Sequence, residues 1–261
     1  LRRIRGRGPE HLLIRYATRF NSTERAADIR DGFRSALSTA ADRHDDAVML
    51  TLTTDPARFD SHAEAMDGLT DAKSRFMAWL ATDYQLGYRP ENLTVLEFTE
   101  SGLPHLHVVF FGRPWLMEQS RLAAKWSDLG QGRVVDIRRA ATRSGSDVWR
   151  LHDDGTTVAL RDYLGKAIDG LRDLAGMDEG RLREAVEAGD IGLWRQALYW
   201  ATERQYYSCS PSLRADSDEG DGLPFVRRYE FVGVTQYRDI PAYVRESAVR
   251  YRRGRPPPDS A

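Results

Sequence analysis

Two strand patterns separated by only four residues constrain the fold of this chain more than any other feature. Asn92–Thr99 and Pro104–Phe111 are rich in β-branched and aromatic residues, and the connection between them, residues 100–103, contains a glycine. A connection of this length joins neighbouring antiparallel strands. We therefore expect a β-hairpin here, and an antiparallel sheet around it.

The segments on either side of the hairpin predict an α+β fold. In chain order the patterns indicate a strand at Ala47–Thr54, a helix at Ser61–Gln85, the hairpin, a helix at Trp115–Leu129 and a strand at Arg133–Arg138. This β-α-β-β-α-β order is the split βαβ arrangement of a ferredoxin-like core with a central antiparallel sheet. Outside the core, the patterns predict helices at Thr156–Leu171, Glu179–Ala188 and Gly192–Tyr206, a strand pair at Phe225–Tyr237 and a helix-leaning segment at Glu10–Arg43.

These boundaries divide the chain into a core with an extension on each side. We expect an N-terminal helical extension with a basic start at residues 1–44 and the core at residues 45–172. A C-terminal helical and strand extension would follow at residues 173–244, and a basic, proline-rich tail at residues 245–261.

Charge and cysteine content limit the partners and the compartment. The formal net charge is −1, so any affinity for nucleic acid must come from local basic patches rather than from the whole chain. No apolar run approaches the ~18 residues of a membrane span, and we expect no membrane partner. The single cysteine, Cys209, cannot form an internal disulfide, which fits an intracellular, cytoplasmic setting.

Metal chemistry is indicated by the second strand of the hairpin. His105 and His107 are two residues apart, so both imidazoles project from the same face of a strand. If the turn centres near residues 101–102, Glu97 lies roughly opposite His107 and adds a carboxylate to that face. Two imidazoles and a carboxylate on neighbouring strands form a three-ligand site suited to Mn²⁺ or Mg²⁺, with Zn²⁺ as an alternative. The competing interpretation is a histidine pair without a ligand role.

A helix further along the chain offers a nucleophile. Tyr163 and Lys166 are three residues apart, so their side chains are neighbours on one face of the predicted helix. The same helix carries one apolar stripe, which consists of Leu160, Leu164, Ile168 and Leu171. Tyr163 lies at the edge of this stripe. A tyrosine at the border of a packed face can reach a cleft, and a neighbouring ammonium stabilises a phenolate. The competing interpretation is a tyrosine that only packs.

Three segments together resemble the motifs of the HUH endonuclease superfamily, in particular the rolling-circle replication initiators (Rep proteins) of plasmids and small viruses. Met49–Thr54 resembles the first motif, a strand beside the active site; Pro104–Phe110 is similar to the second, His-hydrophobic-His; and Tyr163–Lys166 looks like the third, Tyr-x-x-Lys on a helix. The order and separation of the motifs agree with the family. The resemblance covers about Ala47–Ile168, and Leu198–Leu213 is similar to the C-terminal part of archaeal-type Rep proteins.

The resemblance implies an HUH nuclease core at residues 45–172 and a divalent metal cofactor, Mn²⁺ or Mg²⁺. His105 and His107 would bind the metal together with a third, acidic ligand. Glu97 is assigned that role because some Rep proteins place a glutamate eight residues before the first histidine, and Glu100 is the alternative.

The resemblance also implies a reaction and partners. Tyr163 would attack the scissile phosphate, forming a 5′-phosphotyrosyl link and freeing a 3′-hydroxyl, while Lys166 would hold the phosphate or the phenolate. The partners would be single-stranded origin DNA with a hairpin or stem-loop, and the host replication polymerase and helicase. No Walker-type Gly-x-x-x-x-Gly-Lys occurs in the sequence, so we expect no helicase domain in this chain.

Other functions remain as alternatives. A relaxase or a single-strand transposase belongs to the same superfamily, but relaxases usually carry their tyrosine upstream of the histidines, and single-strand transposases are usually shorter. A non-catalytic origin-binding protein would not need the complete set of histidines, tyrosine and lysine. A zinc hydrolase would need a general base and gives no role to the Tyr-x-x-Lys helix.

Basic residues near both ends are candidates for binding the DNA backbone. They are Arg2, Arg3, Arg5, Arg252 and Arg253. Solvated tails without a ligand are the other interpretation, and the two are compatible.

Aromatic residues near position 200 are candidates for stacking on unpaired bases. They are Trp194, Tyr199, Trp200, Tyr206 and Tyr207. The helical spacing of residues 194, 198, 201 and 205 favours packing in the core instead.

Overall fold

The computed structural model describes residues 2–3, 10–14, 18–82, 85–142, 146, 148–153, 156–214, 229–230, 239–247 and 249–251. The chain forms two compact units. One combines residues 1–18 with residues 216–261, and the other comprises residues 19–215. Within the described ranges, no helix has both the length and the apolar character that crossing a bilayer requires.

Helices and strands are interspersed along the chain. In order they are β1 (Arg2–Arg3), β2 (Leu12–Ile14), α1 (Thr23–Ala41), β3 (Asp46–Thr53), α2 (His62–Leu80), β4 (Asn92–Phe98), β5 (Pro104–Phe111), α3 (Gln119–Asp128), β6 (Val135–Ala141), β7 (Arg150–Asp153), β8 (Thr156–Ala159), α4 (Leu160–Ala175), α5 (Glu179–Glu187), α6 (Ile191–Ala201), β9 (Tyr207–Cys209), β10 (Tyr229–Glu230), α7 (Ala242–Ser247) and β11 (Val249–Tyr251). Short 3₁₀ turns occur at Pro56–Arg58 and Pro211–Leu213.

A seven-stranded antiparallel sheet is the centre of the unit formed by residues 19–215. Its strand order is β8-β7-β6-β3-β5-β4-β9, and every neighbouring pair is antiparallel. The predicted hairpin is β4–β5, with Gly102 in the left-handed region at φ +80°. The expectation of an α+β fold around an antiparallel sheet is confirmed.

Helices cover both faces of this sheet. On one face, α4 contacts β5 through the rings of Tyr163 and His107, and α1 packs through Phe33 against Tyr207 of β9. On the other face, Lys73 of α2 donates a hydrogen bond to Ser208 of β9, and α2 packs against α3. Side chains alternate along each strand, so the apolar core fills both sides of the central strands β3, β4 and β5.

The N-terminal helix is shorter than the sequence predicts. Instead of spanning Glu10–Arg43, α1 begins at Thr23, where the side chain of Ser22 accepts a hydrogen bond from the backbone N–H of Arg25. Leu12–Ile14, inside the predicted helix, forms β2 and pairs in parallel with β11. That partner is distant in sequence, so a local pattern does not reveal the strand.

The helix that carries Tyr163 also begins later than predicted, at Leu160 rather than Thr156. Thr156–Ala159 instead forms β8, which pairs with β7 in a second hairpin. Two threonines and a valine suit a strand better than a helix, because branching at Cβ restricts their side chains. This hairpin extends the sheet beyond the four predicted core strands.

The predicted helix Gly192–Tyr206 is wrong at its C-terminal end. α6 ends at Ala201, Glu203 adopts a left-handed conformation at φ 54°, and Tyr207–Cys209 forms the edge strand β9 beside β4. Cys209 is therefore half-buried in a strand, and burial raises the pKa of its thiol. The predicted helix at Glu179–Ala188 is confirmed as α5.

The unit formed by residues 1–18 and 216–261 contains two short strand pairs. β1 pairs with β10 in the antiparallel sense, and β2 pairs with β11 in parallel. Of the predicted strand pair Phe225–Tyr237, only β10 is described. The predicted basic tail begins inside α7 and includes β11, and its residues from 252 onward lie outside the described part of the chain.

Candidate metal and tyrosine site

The register of the hairpin brings a carboxylate beside the two histidines. Glu97 pairs directly with His105, and Val95 pairs with His107. The prediction that Glu97 lies opposite His107 is therefore wrong by two residues. Because residues two apart share a face, the shift leaves Glu97 on the same side of the sheet as both imidazoles.

Three potential ligand atoms converge on this face. Glu97 Oε2 lies 2.9 Å from His107 Nε2 and 3.3 Å from His105 Nε2, and the two Nε2 atoms are 3.2 Å apart. Among the residues that the structure describes, this is the one group of three histidine, cysteine or carboxylate side chains close enough to share a metal ion.

Burial and charge fix the protonation states that a metal requires. His107 is almost fully buried, and burial lowers its pKa below the ordinary value; the charges of His105 and Arg138 add to that effect, against an opposing hydrogen bond with Glu97. Burial alone would raise the pKa of Glu97, but its hydrogen bonds with both histidines and their charges hold it well below its usual range. At neutral pH Glu97 is therefore a carboxylate and His107 a neutral imidazole, and these are the protonation states that bind metal ions.

A threonine on the neighbouring strand orients one imidazole. Thr51 pairs with His107 across β3 and β5, and its Oγ1 lies 3.1 Å from His107 Nδ1. If Nδ1 carries the hydrogen, Nε2 presents a lone pair to the cluster. His105 Nδ1 is buried without a hydrogen-bond partner, so the polar contacts of this ring are those of its Nε2.

The donor set fits a divalent cation. Adjacent ligands around octahedral Mg²⁺ are about 3.0 Å apart, and ligands around tetrahedral Zn²⁺ are about 3.4 Å apart. The separations between the three atoms, 2.9, 3.2 and 3.3 Å, lie close to both values. Two nitrogens and one oxygen are also the mixed set found for Mn²⁺ and other transition metals. Nothing in the spacing chooses between Mn²⁺, Mg²⁺ and Zn²⁺.

The predicted tyrosine lies against this cluster. The ring of Tyr163 packs edge-on against His107, with 5.5 Å between ring centroids and 80° between ring planes. The Nζ of Lys166 lies 5.5 Å from the centroid of the Tyr163 ring. Tyr163 itself is half-buried and Lys166 is exposed. The predicted apolar stripe is buried and anchors the helix: Leu160, Leu164, Ile168 and Leu171.

The structure adds residues that the sequence did not single out. Thr51 belongs to the segment that resembles the first HUH motif, but its bond to His107 depends on strand pairing. Arg138 of β6 lies with its guanidinium carbon 6.0 Å from the centroid of the Tyr163 ring. Glu100, the alternative ligand, is exposed in the turn of the hairpin and is not among the three converging side chains.

Of the five arginines predicted to bind DNA, the structure describes two. Arg2 and Arg3 form β1 in the unit built from the two chain ends, while Arg5, Arg252 and Arg253 lie outside the described residues.

The aromatic residues near position 200 divide into buried and exposed groups. Tyr199 and Tyr206 are buried and stack with their centroids 4.1 Å apart, as core packing predicts. Burial raises the pKa of Tyr207, which is half-buried, to about 12. Trp194 and Trp200 are exposed, so core packing, the interpretation favoured for this group of aromatic residues, is wrong for both.

Comparisons with known proteins place the chain in a family. Residues 25–87 and 85–189 match the family described as "Domain of unknown function (DUF8148) C-terminal domain". "Uncharacterized protein 1" of Halorubrum pleomorphic virus 1 is 36% identical in an alignment of 227 residues, and the match covers 81% of this chain. The chain spans less than half of that viral protein, 45% of its length. No solved structure gives a significant match. Since the two matched segments cover more than half of its length, the chain belongs to the family of the DUF8148 C-terminal domain.

Proposed function

We propose that this chain is a metal-dependent DNA endonuclease and strand transferase of the HUH type. It would initiate rolling-circle replication by nicking and rejoining single-stranded origin DNA. The observation that carries the proposal is the contact between Tyr163 and His107. A helix-borne phenol, 56 positions along the chain from His107, packs on the one described cluster that has the composition and spacing of a metal site.

The strand order supports a ferredoxin-like core for this enzyme. Along the chain, α2 connects β3 to β4, and in the sheet β5 lies between these two strands. Likewise α3 connects β5 to β6, and β3 lies between those two strands. Two interleaved crossovers of this kind define the split βαβ arrangement. The candidate site then occupies the face of the sheet opposite α2 and α3, where α1 and α4 pack.

The mechanism follows from the positions of the protein groups. A divalent cation held by Glu97, His105 and His107 would supply Lewis-acid polarisation of the scissile phosphate. Tyr163 attacks that phosphate: the bond from its Oη to phosphorus forms, and the bond from phosphorus to the 3′-oxygen breaks. The phenol loses its proton, and the departing 3′-oxygen takes one up. The phosphodiester energy is retained in the phosphotyrosyl bond, so the strand can be rejoined without ATP.

Charged groups around the phenol favour this reaction. Lys166 lies within 5.5 Å of the Tyr163 ring centroid and would stabilise the phenolate or the negative charge on the phosphate. The freed 3′-hydroxyl would prime a host polymerase, with a host helicase separating the strands. Arg2, Arg3, Arg5, Arg252 and Arg253 would add salt-dependent affinity for the DNA backbone. The resemblance to a protein of a pleomorphic virus is consistent with a viral replicon as the source.

Covalent attachment to DNA tests the proposal directly. We expect the protein, with Mn²⁺ and single-stranded oligonucleotides tiling the replicon that encodes it, to form an adduct that survives denaturing electrophoresis. Tyr163→Phe removes only the hydroxyl and should abolish the adduct while leaving oligonucleotide binding within about threefold of wild type. Tyr88→Phe is the matched control, because Tyr88 is an exposed tyrosine that contacts Arg113 instead of the cluster.

The metal requirement is tested in the same assay. His105→Ala should abolish the adduct, whereas His152→Ala, which removes an exposed histidine, should leave it unchanged. Oligonucleotide binding without any adduct in the wild-type protein would support a non-catalytic origin-binding protein. Full adduct formation in excess EDTA would count against a metal.

A further inference from the structure

Tyr163 lies near two cationic groups that come from different elements. Lys166 belongs to the same helix, α4, and its Nζ is 5.5 Å from the ring centroid. Arg138 belongs to strand β6, and its guanidinium carbon is 6.0 Å from the same centroid. The sequence motif accounts for the lysine only. The arginine is brought to the tyrosine by the tertiary fold.

Strand register places Arg138 on the face that carries the candidate site. Arg138 pairs with Met49 of β3, and Met49 pairs with Val109 of β5. Since Val109 is two residues from His107, all four side chains leave the sheet on one side.

A carboxylate fixes the orientation of this arginine. Arg138 Nε donates to Asp136 Oδ2 at 2.6 Å, and Asp136 pairs with Thr51, the residue bonded to His107. The Arg138 side chain is only 25% exposed. A guanidinium is planar and presents its donors as a rigid fork, so an Nε anchor sets the plane in which the fork meets an oxyanion.

We infer that Arg138 is a further catalytic residue of this site and binds a non-bridging oxygen of the scissile phosphate beside Tyr163. This inference rests on the proposed function. During attack the phosphoryl oxygens carry the developing charge, and a fixed guanidinium stabilises it without reorganising. Asp136 is the positioning residue that holds the fork. A merely structural arginine would instead hold the tyrosine ring or strand β6 in place.

Rates on modified DNA distinguish a phosphate contact from a structural role. The variants are Arg138→Gln, Arg138→Lys and, as the matched control, Arg139→Gln. Arg139 is the neighbouring residue, projects from the opposite face of β6 and binds Asp46 at 2.7 Å. For each variant, the adduct-forming rate at saturating oligonucleotide and the half-saturating concentration are measured. Three substrates are compared. One has the normal scissile phosphate, and the other two are the phosphorothioate stereoisomers, in which sulfur replaces one or the other non-bridging oxygen.

We expect Arg138→Gln to lower the saturated rate by about 100-fold and to change the half-saturating concentration by less than about threefold. Wild type should be slowed by sulfur to different extents in the two stereoisomers, because the cation and Arg138 would contact different non-bridging oxygens. Arg138→Gln should change this discrimination, because the penalty for sulfur at the oxygen that Arg138 contacts is lost while the penalty at the oxygen facing the cation remains. Arg138→Lys should fall in between, since an ammonium keeps the charge without the planar fork. Arg139→Gln should match wild type in every measurement.

Each outcome supports or overturns the inference. A wild-type rate for Arg138→Gln, or a slowed rate with the discrimination between stereoisomers intact, would overturn the phosphate contact while leaving the endonuclease proposal standing. If wild type forms no adduct with any oligonucleotide, the proposed function fails and this inference fails with it. If Arg138→Gln does not fold, Arg138→Lys decides, because it keeps a positive charge near Asp136: a slowed rate with altered discrimination supports the contact, and wild-type behaviour overturns it.

Discussion

Substitution of Glu97 is the most direct test of the proposed metal site. Its Oε2 approaches both imidazoles, and its low pKa keeps it anionic, whereas Glu100 in the turn is exposed. We expect Glu97→Gln, which preserves the shape but removes the charge, to weaken Mn²⁺ binding by about 10- to 100-fold, as measured by isothermal titration calorimetry. The amide leaves the two imidazoles without an anionic partner for the cation.

Glu100→Gln serves as the matched control, because it makes the same substitution three residues away on the same hairpin. It should leave Mn²⁺ affinity unchanged. If Glu100→Gln weakened binding more than Glu97→Gln, the third ligand would be Glu100 and the turn would have to rearrange in solution. Equal affinities for both variants and wild type would mean that the histidines act without a carboxylate.

The sequence alone predicted the two histidines and the tyrosine of the site, but it did not predict the residues that contact them, Thr51 and Arg138. The spacing of His105 and His107 sufficed to predict a shared face, because that depends only on strand geometry. The roles of Thr51 and Arg138 depend on which strands pair with β5 and β3 and in which register. One sequence does not specify that register. The same limit explains why Glu97 was expected opposite the wrong histidine.

Helix α4 is the element on which the position of the nucleophile depends. Its buried stripe packs on α1, and its C-terminal half packs on α6, where Gln196 donates to the carbonyl oxygen of Ala167 at 2.9 Å. Two of its glycines have different surroundings. A Cβ at Gly165 would meet only ordinary contacts, at 3.8 Å and beyond, whereas a Cβ at Gly170 would come within 2.9 Å of Gln196 Nε2.

We expect alanine substitutions at these two glycines to change the free energy of unfolding in opposite directions. Gly165→Ala should raise the free energy of unfolding by about 0.5–1 kcal/mol, because alanine favours a helix and the space is available. Gly170→Ala should lower it by about 1–2 kcal/mol, because Gln196 is buried and held by Ala167 and by the Tyr206 hydroxyl. Urea denaturation measures both. Stabilisation by both variants would show that α6 yields easily and does not position α4.

Element-scale prediction succeeded where local patterns were long and failed where strands were short. The amphipathic helix α2 and the strands β3, β4 and β5 were predicted to within a few residues, because their periodicity extends over seven or more positions. β7, β8 and β9 span four residues or fewer and take their structure from a partner strand. Such segments lack a pattern of their own, so four expected core strands became a seven-stranded sheet.

At the scale of the whole molecule, the candidate site exists only when distant parts of the chain are folded together. The hairpin supplies the three ligands, β3 and β6 supply their supports, and α4 supplies the phenol. An unfolded chain presents no such arrangement, so metal binding should be linked to folding. The linkage should also depend on pH, since protons and the cation compete for the same atoms.

Thermal unfolding with and without Mn²⁺ measures this linkage. At pH 7.5, Mn²⁺ at about 100 times its dissociation constant should add about 2.7 kcal/mol to the free energy of unfolding.

Because burial lowers the pKa of His107, the free energy of unfolding without metal should fall as the pH drops below about 6.5, where the unfolded chain takes up a proton that the folded chain resists. At the same Mn²⁺ concentration, the metal increment should shrink over this range, because protons compete with the cation for His107. Glu97 stays anionic there, because its contacts with the two histidines hold its pKa well below the usual range. His105→Ala is the control and should show no Mn²⁺ increment at any pH. An equal increment in that variant would assign the stabilisation to a cation bound elsewhere on the chain.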